Sequence, residues 1–182
     1  AGLLATKLGL PVKKFIAATN RNDVVPAYLK SGNYQARPSV ATISNAMDVG
    51  APSNFVRMLA LFDGDWQRMS EKIAGFSFDD DTTRAAIRTV QALHQYAIDP
   101  HGAVGWLAAK KWSAQNPGNA TIVLETAHPS KFLDVMEAEL GQGSVEIPER
   151  LACLANAPSH SIPMSHEEAP FLAWLNQQSP HR

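Results

Sequence analysis

The stretch Thr-Ile-Val-Leu-Glu-Thr-Ala-His-Pro at residues 121–129 decides the fold that we expect for this chain. Its first four residues are apolar or β-branched and predict a short buried strand, and Pro129 is typical of the first turn of a helix. A strand that runs into a helix is the repeating unit of α/β proteins, whose ligands bind beyond the carboxyl ends of parallel strands. Thr126 lies at this junction and is therefore a candidate binding residue. A threonine that only caps the next helix is the alternative.

The pattern around this stretch alternates helices with short apolar segments. Residues 13–19 predict a second buried strand. Helices are predicted over residues 24–30, 55–62, 66–74, 82–97, 101–115 and 128–140. We therefore expect an α/β fold of layered type, with a largely parallel sheet flanked by helices.

The composition changes near residue 144, where regular periodicity gives way to a Pro-, Ser- and His-bearing tail. We predict a partial α/β cofactor and substrate domain at residues 1–143 and a C-terminal tail with one short helix at residues 144–182. The leucines of residues 2–8 have helical spacing, but no capping residue precedes them. The first domain is therefore expected to lack its N-terminal portion and to belong to a longer parent.

The composition excludes several function classes. Sixteen basic and seventeen acidic residues give a net charge of −1, which does not favour nucleic acid or an anionic membrane surface. The apolar runs are far shorter than a membrane span. The single cysteine, Cys153, excludes an internal disulfide and is typical of a reducing compartment, so a cytoplasmic location is expected.

The common catalytic motifs are absent from the sequence. There is no Gly-x-Ser-x-Gly, no phosphate-binding Gly-Lys-Ser/Thr loop and no complete dinucleotide glycine fingerprint. The six histidines form no i, i+4 pair, and residues 79–81, three consecutive aspartates at a helix start, favour capping over metal binding. We therefore expect no metal site.

Asp99 and His101 stand at the start of a predicted helix that also contains Gly102 and Gly105. Small residues permit a close approach of backbone or ligand, so this helix start is a candidate site. Capping by Asp99, with His101 simply beginning the helix, is an equally good interpretation. We select His101 as a candidate substrate contact.

The region of residues 34–54 is rich in turn-forming and small residues, and either a functional loop or an irregular connection fits it. Within it, we select Asn45 and Asp48 as candidate substrate contacts. Asn20, Asn22 and Asp23 follow the strand predicted over residues 13–19, and capping of the next helix is their expected role.

Five blocks of sequence, taken together and in order, resemble the threonine synthases, which belong to the tryptophan-synthase-like (fold type II) pyridoxal-phosphate enzymes. The blocks include Phe-Ile-Ala-Ala-Thr-Asn, Ser-Asn-Ala-Met-Asp-Val, Asp-Pro-His and Glu-Thr-Ala-His-Pro. They lie within residues 1–12, 15–26, 44–54, 99–104 and 125–132. The resemblance covers residues 1–140 and identifies the chain as similar to a C-terminal fragment of that family.

The resemblance implies the conversion of O-phospho-L-homoserine and water to L-threonine and phosphate, with pyridoxal 5'-phosphate as cofactor. It also implies that the Thr126 hydroxyl faces the pyridine nitrogen of the cofactor. The family's Schiff-base lysine and phosphate-binding loop lie in its N-terminal part, upstream of the counterpart of this chain. We therefore expect no catalytic residue here and no activity of the isolated chain.

Two other functions stay open at this point. The chain could be a non-catalytic binding or regulatory α/β module, or it could derive from a related pyridoxal-phosphate enzyme with a different amino-acid substrate. The Ser-Asn-Ala-Met-Asp and Glu-Thr-Ala-His-Pro blocks favour threonine synthase over the second of these. The expected partner is a small molecule, and self-association is expected if a lobe is missing and apolar surface is uncovered.

Overall fold

The computed structural model describes residues 2–154 and 157–178. The chain divides into two compact units, Ala1–Glu146 and Ile147–Arg182. The helices and strands of the first unit are α1 (Gly2–Lys7), β1 (Phe15–Thr19), α2 (Val24–Ser31), α3 (Phe55–Leu61), α4 (Trp66–Lys72), β2 (Ile73–Ser77), α5 (Asp80–His94), α6 (Pro100–Gln115) and α7 (Leu133–Leu140). Short 3-10 helices cover Asn45–Met47 and Pro129–Phe132. The second unit contains α8 (Glu149–Ala152) and α9 (Glu168–Gln178), and α9 confirms the helix predicted in the tail.

The sheet consists of β1 and β2, which pair in parallel from Phe15 opposite Ile73 to Thr19 opposite Ser77. The predicted strand at residues 13–19 and the α/β class with a parallel sheet and flanking helices are confirmed. Strand β2 was not predicted, because the helical pattern was extended through residue 74. Its Ala-Gly centre has low strand propensity. Gly75 is nevertheless required, since a Cβ atom there would lie 2.7 Å from Cα of Pro26 on α2.

The prediction of a buried strand at the start of residues 121–129 is wrong. This segment is irregular, and the side chains of Ile122 and Leu124 are 84% and 81% exposed. The alternate residues face α6: the Thr121 hydroxyl lies 3.1 Å from that of Ser113, and Val123 packs on Gly105. One face of the segment thus packs on a helix, and no strand within residues 2–154 or 157–178 pairs with its backbone. Thr126 consequently does not follow a strand.

The apolar interior of the first unit forms two clusters. The first cluster lies between α5, α6 and α7 and includes Ile87, Ala103 and Met136, all of which are completely buried. The second includes Tyr28 of α2 and Met69 of α4 and packs against the sheet. The first cluster supports the N-terminus of α6, where several candidate residues lie.

Both ends of α5 are fixed by capping residues. Asp79 accepts a hydrogen bond of 2.8 Å from the Thr82 amide at the start of α5, as predicted for this aspartate run. The C-terminal cap of α5 is Gln95, whose φ of +51° lies in the left-handed region.

No helix within the described residues is both long and apolar enough to cross a membrane.

Candidate functional site

The first group of candidate residues surrounds Asp99, the N-terminal cap of α6. Its side chain is completely buried, and Oδ1 accepts hydrogen bonds from the amides of His101, at 2.7 Å, and Gly102, at 3.4 Å. Burial alone would raise the pKa of Asp99, but hydrogen bonds from the side chain of His101, from Glu125 and from the His101 amide outweigh it and lower the pKa. Asp99 is therefore ionised at neutral pH. Its capping role, one of two predicted alternatives, is confirmed.

His101 contacts both Asp99 and the first apolar cluster. Its Nδ1 lies 3.0 Å from Oδ1 of Asp99, and its ring centroid lies 4.8 Å from that of Phe132. Because an ionised carboxylate can only accept, Nδ1 donates, and Nε2 is the ring nitrogen that is left for another partner. Nε2 is buried and has no hydrogen-bond partner in the described part of the chain. A polar group of a ligand could pair with Nε2.

The carboxyl group of Glu125 lies directly on Gly102. A Cβ atom at Gly102 would be 2.0 Å from Oε2 and 2.5 Å from Cδ of Glu125, so only glycine allows this approach. Although Glu125 as a residue is exposed, its carboxyl end packs on the start of α6 beside Asp99. Burial of the carboxyl group, its hydrogen bond to Asp99 and the charge of Asp99 raise the pKa of Glu125 to about 8.

Thr126 follows Glu125 in the chain and is exposed. Both of its neighbours are anchored: Glu125 lies on Gly102, and Ala127 packs against the first apolar cluster. His128 then accepts a hydrogen bond of 3.2 Å from the Ser130 amide and so starts the 3-10 helix. The Thr126 hydroxyl is thus accessible on a backbone that is held on both sides.

The second group of candidate residues surrounds Asp48, at the end of the 3-10 helix Asn45–Met47. Its Oδ1 accepts from the side-chain amides of Asn20, at 2.9 Å, and Asn22, at 3.1 Å. The hydroxyl of Thr42 donates to the same oxygen at 2.7 Å, and the Thr42 amide donates to Oδ2 at 2.9 Å. Asp48 therefore ties its own loop to the end of β1. Asn45, by contrast, is exposed.

The expected capping role of the polar residues after β1 is wrong. Asn20 and Asn22 are buried, at 1% and 7% exposure, and bind the loop that contains Asp48. Asp23 occupies the cap position of α2, but its side chain makes no capping hydrogen bond and instead pairs with Arg37. The reason is that the loop of residues 34–54 folds back over the end of β1 and supplies partners that the local sequence does not reveal.

The candidate binding residues thus lie in two separate parts of the fold. The segment with Thr126 lies at the N-terminus of α6 that carries His101, whereas Asn45 and Asp48 lie at the end of β1. The sequence reasoning missed the carboxyl group of Glu125. The available signal was Gly102, a glycine inside a helix that needs a reason for its absent side chain.

The described residues contain no cluster of three or more histidine, cysteine or acidic side chains that could hold a metal ion.

Comparison with known proteins gives a consistent result. Residues 102–170 match the family model described as threonine synthase, C-terminal. The threonine synthase of Escherichia coli K12 is 43% identical over 165 residues, which are 90% of this chain and 37% of that protein. The chain is related to the C-terminal part of threonine synthases. The resemblance inferred from the five sequence blocks is therefore confirmed.

Solved structures of threonine synthases extend this relationship to the fold. The crystal structure of the E. coli threonine synthase superposes with a TM-score of 0.83 at 39% identity and covers 97% of this chain and 40% of that one. The structure of a threonine synthase from Brucella melitensis, described as PLP bound, gives a TM-score of 0.71 at 28% identity over 84% of this chain. The chain spans between 37% and 40% of the length of the E. coli relative.

Proposed function

We propose that this chain is the C-terminal part of a threonine synthase, which converts O-phospho-L-homoserine and water to L-threonine and phosphate. The observation that carries the proposal is the 43% identity to the E. coli threonine synthase across 90% of the chain. The pyridoxal phosphate bound to the Brucella relative supports the same cofactor here. Two features of the described residues fit such a group: the exposed Thr126, and a buried ring nitrogen, Nε2 of His101, that has no hydrogen-bond partner among them.

Thr126 is the proposed contact to the pyridine nitrogen of the cofactor. When bound, pyridoxal phosphate supplies the electron sink for the chemistry at the substrate's carbon atoms. The Thr126 hydroxyl orients the ring and, unlike a carboxylate, does not hold the ring nitrogen strongly protonated. The exposure of Thr126 between two anchored neighbours supports this role, because the hydroxyl is both free to bind and fixed in place.

His101, Asn45 and Asp48 are the proposed substrate contacts. For His101 the support is Nε2, which is buried, has no partner among the described residues and could form a hydrogen bond with the substrate. The exposed amide of Asn45 is available to a ligand. The oxygens of Asp48 already accept from Asn20, Asn22 and Thr42, so we propose that Asp48 shapes its loop and contacts substrate only through the remaining capacity of Oδ2.

The role of Thr126 is tested by substitution in the complete enzyme. We expect Thr126→Ala to lower turnover and to shift the absorption spectrum of the bound cofactor, because the ring nitrogen loses its partner. Thr126→Ser keeps the hydroxyl and is the matched control, with a spectrum close to that of the parent. An alanine variant with unchanged turnover and spectrum would refute the assignment.

We propose that the isolated chain self-associates. We also propose a cytoplasmic location. The exposed side chains of Ile122 and Leu124 support self-association, since they project together from one side of an irregular segment. Sedimentation velocity should show a species larger than the monomer that disappears when both residues are replaced by serine. A monomer at all concentrations would contradict this. The single cysteine supports a reducing, cytoplasmic location.

A further inference from the structure

The carboxyl groups of Asp99 and Glu125 form a pair that the proposed reaction does not use. Oδ1 of Asp99 has donors in the backbone and ring of His101, whereas Oδ2 is buried. With both carboxyl groups ionised, Oδ2 has no donor among the described residues. Leaving a buried acceptor unpaired is costly, and two adjacent carboxylates repel each other. A proton on Glu125 removes both problems.

The position of Glu125 makes it the residue that carries this proton. Its carboxyl group lies against Gly102, in the first turn of α6, and the charge of Asp99 contributes to the raised pKa of Glu125. The other titratable groups nearby are His101, which contacts Asp99, and Tyr96, in the segment before α6. The pKa of Tyr96 is raised by burial and by the charges of Glu125 and Asp99, so Tyr96 stays neutral across the physiological range. Of the two carboxyl groups, Glu125 is thus the one that takes up the proton.

We propose that Glu125 is a positioning residue: its protonated carboxyl group donates a hydrogen bond to Oδ2 of Asp99 across Gly102, and this tether fixes Thr126 at the N-terminus of α6. The proposal rests on the proposed function insofar as Thr126 binds the cofactor. The tether is complete while Glu125 is protonated and is lost when it ionises. Alkaline pH should therefore release the Thr126 segment before it unfolds the chain.

The titration of Glu125 tests the tether on the full 182-residue chain without any cofactor. We expect one glutamate side-chain carboxyl, observed by carbon-13 NMR, to titrate near pH 8, the value to which the pKa of Glu125 is raised. The signal should disappear in Glu125→Gln and persist in Glu146→Gln, an exposed glutamate of the same unit. In Asp99→Asn the midpoint should fall towards the ordinary value, because the amide can donate to an ionised Glu125. A chain in which every glutamate titrates in the ordinary range would overturn the proposal.

The mobility of Thr126 tests what the tether does. The order parameter of its backbone amide should be near the roughly 0.85 of rigid backbone at pH 6 and fall towards about 0.6 at pH 9. Glu125→Gln keeps a donor and should stay rigid at both pH values, whereas Glu125→Ala should be mobile at both. A pH-dependent change that persists in the glutamine variant would overturn the role of Glu125.

These outcomes are separate from those of the proposed function. A complete enzyme that fails to release phosphate would refute the proposed function and leave the NMR result intact. A Thr126 that is mobile at pH 6 in the 182-residue chain, together with normal turnover of the complete enzyme, would refute the tether alone.

Discussion

Replacing Gly102 by alanine should displace the Glu125 carboxyl group without altering either member of the carboxyl pair. The new methyl group would lie 2.0 Å from Oε2, and the end of a glutamate side chain can swing away into water. Alanine in a helix gains about 0.5–1 kcal/mol over glycine. The lost hydrogen bond leaves a buried acceptor unpaired, which costs about 1–3 kcal/mol.

Gly105→Ala is the matched control for this substitution. It gains the same helix propensity on the same helix, and its methyl group would meet only Val123, at 3.0 Å, so a small shift accommodates it. The difference between the two variants therefore isolates the Glu125–Asp99 pair. At pH 5 we expect Gly102→Ala to be less stable than Gly105→Ala by about 1–3 kcal/mol. A difference of 2 kcal/mol corresponds to roughly 4–8 °C in melting temperature for a chain of this length.

The pH dependence of this difference gives the sharper test. The pKa of Glu125 is raised from 4.5 to about 8 in the folded chain, so above pH 4.5 the folded state keeps a proton that the unfolded state releases. The stability from the pair is therefore complete below the unfolded pKa and is lost as the pH rises through the folded pKa. In Gly102→Ala, Glu125 is in water and lacks this dependence. Thermal denaturation from pH 5 to pH 8.5 should show the difference shrinking, and a constant or absent difference would refute the reasoning.

Three further predictions concern stability. Met136→Ala should destabilise the chain by about 2–5 kcal/mol, because a completely buried side chain of the first cluster is removed. Leu93→Ala, at a side chain that is 68% exposed, should change the free energy of unfolding by less than about 0.5 kcal/mol. Asp48→Asn should cost roughly 1–3 kcal/mol, since its NH₂ group must face a donor from Thr42 or from the asparagines. Denaturant unfolding measures the change in the free energy of unfolding for each variant. Equal effects of Met136→Ala and Leu93→Ala would contradict the assignment of the core. An unchanged stability of Asp48→Asn would contradict the Asp48 network.

Much of the helical structure could be predicted from local sequence. The capping of α5 by Asp79 and the C-terminal end of α2 at Gly32, with φ of +73°, involve residue types with strong local preferences. The apolar run of residues 15–19 likewise indicated β1.

The strand predictions were wrong or missing in segments whose conformation is decided by tertiary contacts. Residues 121–124 have the composition of a strand, but a strand also needs a partner for its backbone, and here one face packs on α6 instead. Strand β2 has the opposite character, with a weak local signal and a well-placed partner in β1. A single sequence does not contain that information, because partner choice depends on distant residues.

The candidate site was predictable only in part. Thr126 and His101 were selected from their positions at predicted helix starts, the family resemblance added a role for Thr126, and both lie on segments that meet at the start of α6. The roles of Asn20, Asn22 and Glu125 depend on side chains from distant loops, so capping rules could not reveal them. Buried polar groups without local partners are where the sequence reasoning was least complete.

Phosphate release from O-phospho-L-homoserine tests the central claim most directly. The assay compares the proposed complete enzyme, of which this chain would form the C-terminal part, with the 182-residue chain alone, each with added pyridoxal phosphate. We predict release by the complete enzyme and none by the chain alone, because the resemblance assigns the Schiff-base lysine to the N-terminal part of the family. A folded, cofactor-loaded complete enzyme that releases no phosphate would contradict the account, and so would release by the isolated chain.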